Sequence, residues 1–280
     1  MGAPDSFDTV PQPLPDLIET LELAAIAAGR EILSVRAAGA KISIKSDCTP
    51  VTQADKAAEA LILKRLSEQF PGVPVVAEEM AEDGKCPSSA QASYFLVDAL
   101  DGTGDFIAGR NEFTVNIALI RDFKPVAGVV YAPALGRIWA GAGPRAQAGD
   151  VTPESEIVAR RIIRTRRRPR TPVALISLSH REAETQAWIE KMPAHRIEHV
   201  GSSLKFCLLA EGKADVYPRL VCLKQWDIAA GDAVLRAAGG VTLGLDGEPL
   251  RYGVDNADFG CARFVSWGEA PDREFAVENA

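Results

Sequence analysis

Apolar residues recur at spacings of three and four from Pro15 onward. Leu17, Leu21, Ala24, Ala28, Ile32 and Val35 share one stripe, and Gly39 follows. That period predicts an amphipathic helix which the glycine stops. A polar loop, KSDCTPVTQAD over 45–55, leads into a second stripe of Ala58, Leu61, Ile62 and Leu66, closed by Pro71-Gly72. Residues 1–13 read as a loose arm. The period then shortens. Residues 73–77 and 94–97 are brief apolar runs, each ending in acids. Phe113, Val115, Ile117 and Leu119 alternate, and apolar runs at 126–131 and 137–140 follow over short connections. This pattern suits an antiparallel sheet.

Residues 144–172 read as irregular and polar. Beyond them strands and helices alternate: strand 173–177, helix 182–191, strand 197–200, helix 203–210, strand 214–217, helix 226–238, then short strands at 241–243 and 264–267. Alternation of that kind predicts a layered α/β second half. The expected division is an N-terminal α+β domain over 1–170, with the antiparallel sheet, and a C-terminal α/β domain over 171–280. No internal repeat is visible.

Composition narrows the class. The chain has 280 residues, 47% hydrophobic and 25% charged, an ordinary globular balance. Its formal net charge of −7 disfavours a general nucleic-acid binder. An anionic substrate then needs local positive charge or a metal to offset the repulsion. The five cysteines are scattered and lack C-x-x-C spacing. That argues against a disulfide framework or a structural zinc site, and for a reducing compartment. The acidic, proline-rich start carries no signal-peptide pattern, and no run approaches the length of an apolar membrane span. A cytoplasmic location is expected.

Chemistry concentrates where elements end. VDALDGTGDF at 97–106 closes an apolar strand with Asp98 and Asp101, three apart, then Gly102, Thr103 and Gly104. Glu78-Glu79 and Asp227 stand at similar boundaries. Several carboxylates converging on one crevice repel unless a cation lies among them. Oxygen ligands without imidazole or thiolate suit Mg²⁺. Two such ions are a standard device for phosphoryl hydrolysis. Each feature also has a plain structural reading. Asp101-Gly102 is an ordinary turn pair. Thr52-x-x-Asp55 forms a capping box. Asp227 favours its helix's first turn, and Glu78-Glu79 suits a solvated loop. Taken singly, these alternatives stay open.

In combination the blocks are far more specific. VDALDGTGDF, with VVAEEM upstream and QWDIAAGDAVLRAAGG downstream, resembles the inositol monophosphatase superfamily of Mg²⁺-dependent, lithium-sensitive phosphatases, from about residue 15 to 267. KSDCTPVTQAD, EFTVNIALI, GVVYAP, SLSH and GSSLKFCLLAEGKADVYPR resemble its 3′(2′),5′-bisphosphate nucleotidase branch, the CysQ type. The resemblance implies a layered α-β-α-β-α sandwich. It implies two or three Mg²⁺ ions held by Glu78, Asp98, the Leu100 carbonyl, Asp101 and Asp227. Glu78, Asp55 and Thr103 are implied as catalytic, with the Thr103 hydroxyl holding the attacking water and Asp55 as its acidic partner. Gly102 and Thr103 amides are implied as a phosphate cradle, and Lys45 in a loop near the site. Ser202, Lys205, His180 and Arg219 are implied to face the nucleotide.

The implied reaction removes the 3′-phosphate of 3′-phosphoadenosine 5′-phosphate, giving AMP and phosphate, which in bacteria clears a by-product of sulfate activation. An inositol or sugar phosphatase on the same fold is the alternative enzyme, and an anion-binding regulatory protein the alternative of another class. Two departures stand out: Ala99 where most relatives carry proline, and Gly104 where many of this branch carry a longer polar residue. The oligomeric state is not legible.

Other features weigh less. His195 and His199 read as surface strand residues, Trp226 as core and Cys207 as buried. RRIIRTRRRPR at 160–170 packs seven arginines into an acidic chain. A solvated linker or edge hairpin is the expected reading. Steering of a doubly phosphorylated substrate, or weak peripheral contact with an anionic membrane at its inner face, are the others.

Overall fold

The computed structural model describes residues 14–39, 42–44, 50–86, 93–178, 182–192, 195–253, 259–261 and 263–271. Helices α1 (Leu14–Ala38) and α2 (Gln53–Gln69) lie side by side. Between them runs an antiparallel pair, β1 (Ile42–Ile44) and β2 (Pro50–Thr52). The stripe Leu17, Leu21, Ala28 and Ile32 meets Ala54, Ala58, Ile62 and Leu66 in one apolar cluster.

That cluster continues onto a seven-stranded sheet. Its strands are β3 (Val75–Ala77), β4 (Ser93–Asp101), β5 (Thr114–Arg121), β6 (Lys124–Ala132), β7 (Arg137–Ala142), β8 (Arg145–Val151) and β9 (Ile157–Ile163), in sequence order across the sheet. Only β3 and β4 pair in parallel. Along β4, Phe95 and Val97 join the helical cluster, while Tyr94 and Leu96 join a second cluster on the opposite face. A strand buried on both faces therefore reads as a continuous apolar run. Against the second face lies α7 (Gln225–Ala237), through Ala230 and Val234. It approaches so closely that a Cβ on Gly128 would sit 2.7 Å from the Ala230 carbonyl oxygen.

The second sheet holds β10 (Val173–Ser177), β11 (Arg196–Val200), β12 (Val216–Arg219), β13 (Val241–Gly244) and β14 (Phe264–Trp267), ordered β11-β10-β12-β14-β13. α6 (Leu204–Ala210) and α7 share the apolar cluster on its inner face. On the outer face α5 (Ala183–Glu190) packs Trp188 and Ile189 against Val216 and Trp267. The layers are thus α1/α2, seven-stranded sheet, α6/α7, five-stranded sheet and α5, the α-β-α-β-α order that the resemblance implied. The first sheet ends at Ile163 and the second begins at Val173, while α7 packs between them.

One expectation needs correction. Residues 144–172 are not irregular throughout, because β8 and β9 occupy 145–151 and 157–163. β9 is an edge strand exposed along most of its length, so no apolar alternation marks it. Two short helices, α3 (Glu78–Glu82) and α4 (Thr103–Ile107), also carry too few residues to show a period.

The arginine run is a clasp. Arg160 forks onto both oxygens of buried Glu22 at 2.8 and 2.7 Å, and Arg166 onto both of Asp215 at 2.8 and 2.7 Å. Arg161 reaches buried Glu211 at 2.8 Å. Trp139 Nε1, Arg137 and Lys213 also donate to or pair with Glu211. These forks tie the edge strand and linker to the helix and sheet layers on either side.

Candidate active site

Two successive aspartates of VDALD share a face only because the strand bulges. In a regular strand, residues three apart point to opposite faces. Here Asp98 pairs with Asn116 and Asp101 with Thr114. Three steps along β4 thus oppose two along β5, and the extra residue turns Asp101 back to the side of Asp98. Ala99 and Leu100 make up the bulge, both buried. The Leu100 amide donates to Asp98 Oδ1 at 2.9 Å.

The other acids arrive from neighbouring element ends. Parallel pairing of β3 with β4 sets Glu78, the first residue of α3, beside the end of β4. Glu59 on α2 fixes that helix start by accepting from the Glu79 and Met80 amides at 2.8 and 2.9 Å. Asp227 lies in the first turn of α7, where its Oδ2 accepts from the Lys224 amide at 3.0 Å. Glu78, Asp98, Leu100, Asp101, Gly102, Thr103 and Asp227 line one cavity of about 700 Å³. Glu79 and Glu82 bring carboxylate oxygens within 4.8 Å of one from Glu78, a tighter acidic group than the spacing suggested.

Thr103 stands at the start of α4, behind the bulge. Its Oγ1 lies 3.1 Å from both Asp55 Oδ1 and the Leu100 carbonyl oxygen. Asp55 serves as capping residue and partner at once, because its Oδ2 accepts from the Thr52 amide and hydroxyl, each at 2.8 Å. The two readings of Thr52-x-x-Asp55 were therefore not exclusive. Gly102 adopts φ +93°, and a Cβ there would press to 3.1 Å from the Glu112 carbonyl oxygen. Only glycine takes that turn without strain.

From the C-terminal half come Ser202, Ser203, Lys205 and Arg219. Ser203 gives Asp101 Oδ2 its amide at 2.7 Å and lies within 3.0 Å through Oγ. Asn116 reaches the same oxygen at 3.4 Å and Ser203 Oγ at 2.9 Å. Thr114 Oγ1 adds a further contact at 3.3 Å. These contacts with Asp101 all fall on Oδ2, while the single Ser203 hydroxyl proton has its shorter acceptor in the Asp227 carbonyl oxygen at 2.6 Å. Lys205 is buried, and its Nζ donates to the carbonyls of Val200 and Ser202 at 3.1 and 2.7 Å. These bonds hold the turn in which Ser202 takes φ +47°. Arg219 ion-pairs with Glu182. Among the described residues the Ser202 hydroxyl and Arg219 Nε are both buried without a hydrogen-bond partner.

The electrostatics follow. Burial pushes the Asp98 and Asp227 carboxyls well above the usual range, and the mutual negative charge of Glu78, Asp98, Asp101 and Asp227 adds to it. Burial raises Asp101 too, with Lys205 the largest opposing influence. Burial also lifts Asp55 against the bonds from Thr52 and Thr103. Lys205 is pulled down to about 8, chiefly by burial, with Asp101 opposing. A divalent cation relieves such a cluster of acids. The donors are carboxylates and one carbonyl, with no imidazole among the described lining residues. The Cys86 thiol, also lining the cavity, is pushed up by burial and so stays protonated. That donor set fits Mg²⁺.

Asn116, Ser203 and Glu182 escaped the sequence reading. Asn116 carried a signal, as a polar residue within an apolar strand. Ser203 adjoins Ser202 and shows nothing local to distinguish their roles. Lys45 and His180 lie outside the described residues. His199 is an exposed residue of β11, Trp226 and Cys207 are buried, and Trp226 also lines the cavity. Buried Asp105 pairs with Arg110 and lines the cavity without joining the acids around Asp98. Among the described residues no helix is long and apolar enough to cross a membrane.

A sequence model described as the inositol monophosphatase family matches residues 14–266. The 3′(2′),5′-bisphosphate nucleotidase CysQ of Escherichia coli strain K12 is 43% identical over 208 residues, 74% of this chain and 81% of that protein. The protein of the same description from Shigella flexneri is 42% identical over 208 residues, with the same coverage. Among solved structures, CysQ from Bacteroides thetaiotaomicron, described as a bacterial member of the inositol monophosphatase family, superposes with a TM-score of 0.76. It is 32% identical, over 93% of this chain and 99% of that one.

Proposed function

This chain belongs to the inositol monophosphatase family, and from that premise we propose that it hydrolyses the 3′-phosphate of 3′-phosphoadenosine 5′-phosphate, giving AMP and phosphate, in the cytoplasm. The observation that carries the reading is one cavity holding both charge types. Glu78, Asp98, Asp101 and Asp227 line it together with the buried cations Lys205 and Arg219. A substrate with a reacting phosphate and a second phosphate needs both. The nucleotidase names of relatives at 42–43% identity support the same substrate.

Glu78, Asp98 and the Leu100 carbonyl would hold one Mg²⁺, and Asp98, Asp101 and Asp227 a second; the count of two or three belongs to this proposal. When bound, the ions supply the positive charge that acidifies a water and offsets charge on the leaving ribose oxygen. The chain does the positioning. A hydroxyl has one proton, so Thr103, donating to Asp55 Oδ1, turns a lone pair to the attacking water and aims it at phosphorus. Asp55 cannot swing, because Thr52 holds its other oxygen twice. The amides of Gly102 and Thr103 take phosphate oxygens at the turn. Ser202, Lys205 and Arg219 meet the second phosphate, with Lys45 and His180 as further candidates. The arginines of 160–170 serve the fold in this reading rather than a membrane.

The test is phosphate release from adenosine 3′,5′-bisphosphate and from inositol 1-phosphate, with Mg²⁺ and with EDTA. Faster turnover of the nucleotide, abolished by EDTA, is expected. Equal or faster turnover of the inositol ester overturns the substrate assignment, and EDTA-resistant turnover overturns the metal assignment.

A further inference from the structure

Arg219 ends β12 inside the cavity and is 8% exposed. A guanidinium buried to that degree keeps its charge, so its direction matters more than its presence. Its Nη1 pairs with Glu182, while Nε is buried with no hydrogen-bond partner among the described residues. The fork is therefore only partly used, and a buried charged donor without a partner is costly unless a ligand completes it.

Glu182 is not free to follow the arginine. Its Oε2 accepts from Thr185 Oγ1 at 2.8 Å, and Thr185 Oγ1 accepts from the Leu220 amide at 3.2 Å. Leu220 is the next residue after Arg219. The contacts thus close a ring: Arg219 to Glu182, Glu182 to Thr185, Thr185 to Leu220, and back through one peptide bond. This ring spans the start of α5 and the end of β12. Glu182 itself is not among the residues lining the cavity.

We propose that Glu182 is a positioning residue that sets selectivity for doubly phosphorylated substrates, by fixing the plane of the Arg219 guanidinium so that its unused N–H edge meets the second phosphate. The proposal rests on the nucleotidase reading. Planar guanidinium donors bind a phosphate well in one orientation, so the holding carboxylate governs affinity without touching the ligand. The Thr185 brace makes that orientation a property of the folded chain rather than of the complex.

The test uses the full chain with saturating Mg²⁺, and compares adenosine 3′,5′-bisphosphate with adenosine 3′-monophosphate, which lacks the second phosphate. Glu182→Ala is expected to raise KM for the bisphosphate about tenfold, with kcat within about twofold and the monophosphate KM within about twofold. Glu182→Gln, which keeps an acceptor, is expected to recover part of that loss. Thr185→Val leaves the ion pair but removes the brace, and is expected to raise the bisphosphate KM about threefold. It keeps the proposal testable if Glu182→Ala strands the buried arginine and fails to fold. A wild type that prefers the bisphosphate, with Glu182 variants that shift neither KM or shift both equally, overturns the inference alone. A wild type indifferent to the second phosphate overturns the nucleotidase reading and this inference with it.

Discussion

Thr103 Oγ1 lies 3.1 Å from Asp55 Oδ1, a contact between residues 48 apart in the chain. It joins the start of α2 to the start of α4 across the mouth of the bulge in β4. Through it a helix cap reaches the proposed reactive site, because the same carboxylate that secures Thr52 also accepts from the threonine hydroxyl.

Removing that hydroxyl is expected to slow the chemistry and spare binding. Thr103→Val should lower kcat about 10²–10⁴-fold, the range for a lost proton-handling group, with KM little changed. Asp55→Asn can keep its bonds from Thr52 but offers an N–H towards Thr103, which reverses the polarity of the contact. It too should lower kcat while the protein stays folded. Steady-state kinetics of both variants check this, and kcat values within about threefold of wild type would sink it.

Asp101 Oδ2 is met by Ser203, Asn116 and Thr114, and in the proposed reading its other oxygen meets a cation. Asp101→Asn retains the shape and loses the charge. Turnover should fall at least about 10³-fold, with circular dichroism and melting temperature close to wild type. Near-normal phosphate release in saturating Mg²⁺ would remove Asp101 from the metal set.

Metal and pH should couple through the buried acids. Asp98 and Asp227 have folded pKa values well above the unfolded one. As pH rises past the unfolded value of about 3.9, the unfolded chain ionises first, so the folded state binds more protons and loses stability. These two groups therefore stabilise the metal-free protein at low pH and cease to as pH climbs through their folded values. Mg²⁺ binds the ionised form, so the rise in melting temperature it produces should be larger at pH 8 than at pH 5. Thermal melts with Mg²⁺ and with EDTA measure it. An equal rise at both pH values would contradict the assignment.

Neighbouring glycines should respond oppositely to alanine. Gly102→Ala forces a Cβ into φ +93° and towards the Glu112 carbonyl, at an expected cost of about 1–2 kcal/mol. A Cβ on Gly104, inside α4, meets nothing within 4 Å. Gly104→Ala should stabilise by about 0.4–1 kcal/mol. Denaturant titration separates the two, and the prediction fails if both destabilise alike. The open space at Gly104 also explains how longer side chains can stand at this position without repacking.

Much of the fold was legible. The stripes of α1 and α2 and the alternation of β5 stood out because each buries one face or runs wholly through a core. β8 and β9 did not, because the buried positions of β8 include the small Ala146 and Ala148, and β9 is exposed along most of its length at the sheet edge. The seven arginines read first as a solvated linker or edge hairpin, and β9 is an edge strand paired with β8, but its arginines are not merely solvated. Arg160, Arg161 and Arg166 instead neutralise buried acids at positions 22, 211 and 215, partners that distance along the chain conceals.

For the candidate site, the sequence by itself determined the residue types: acids at element ends, glycines at the turn, a hydroxyl behind them. It also carried the family, through blocks whose order and spacing chance does not supply. Only the tertiary structure decided which way those groups face. Strand spacing alone turns Asp98 and Asp101 apart, and a single bulged residue brings them together. Asp55, Ser203, Asn116 and Glu182 acquire their roles from contacts across layers. Local sequence specifies local backbone, but side-chain direction and burial depend on ladder register and on neighbours far along the chain, which exist only once the layers have packed.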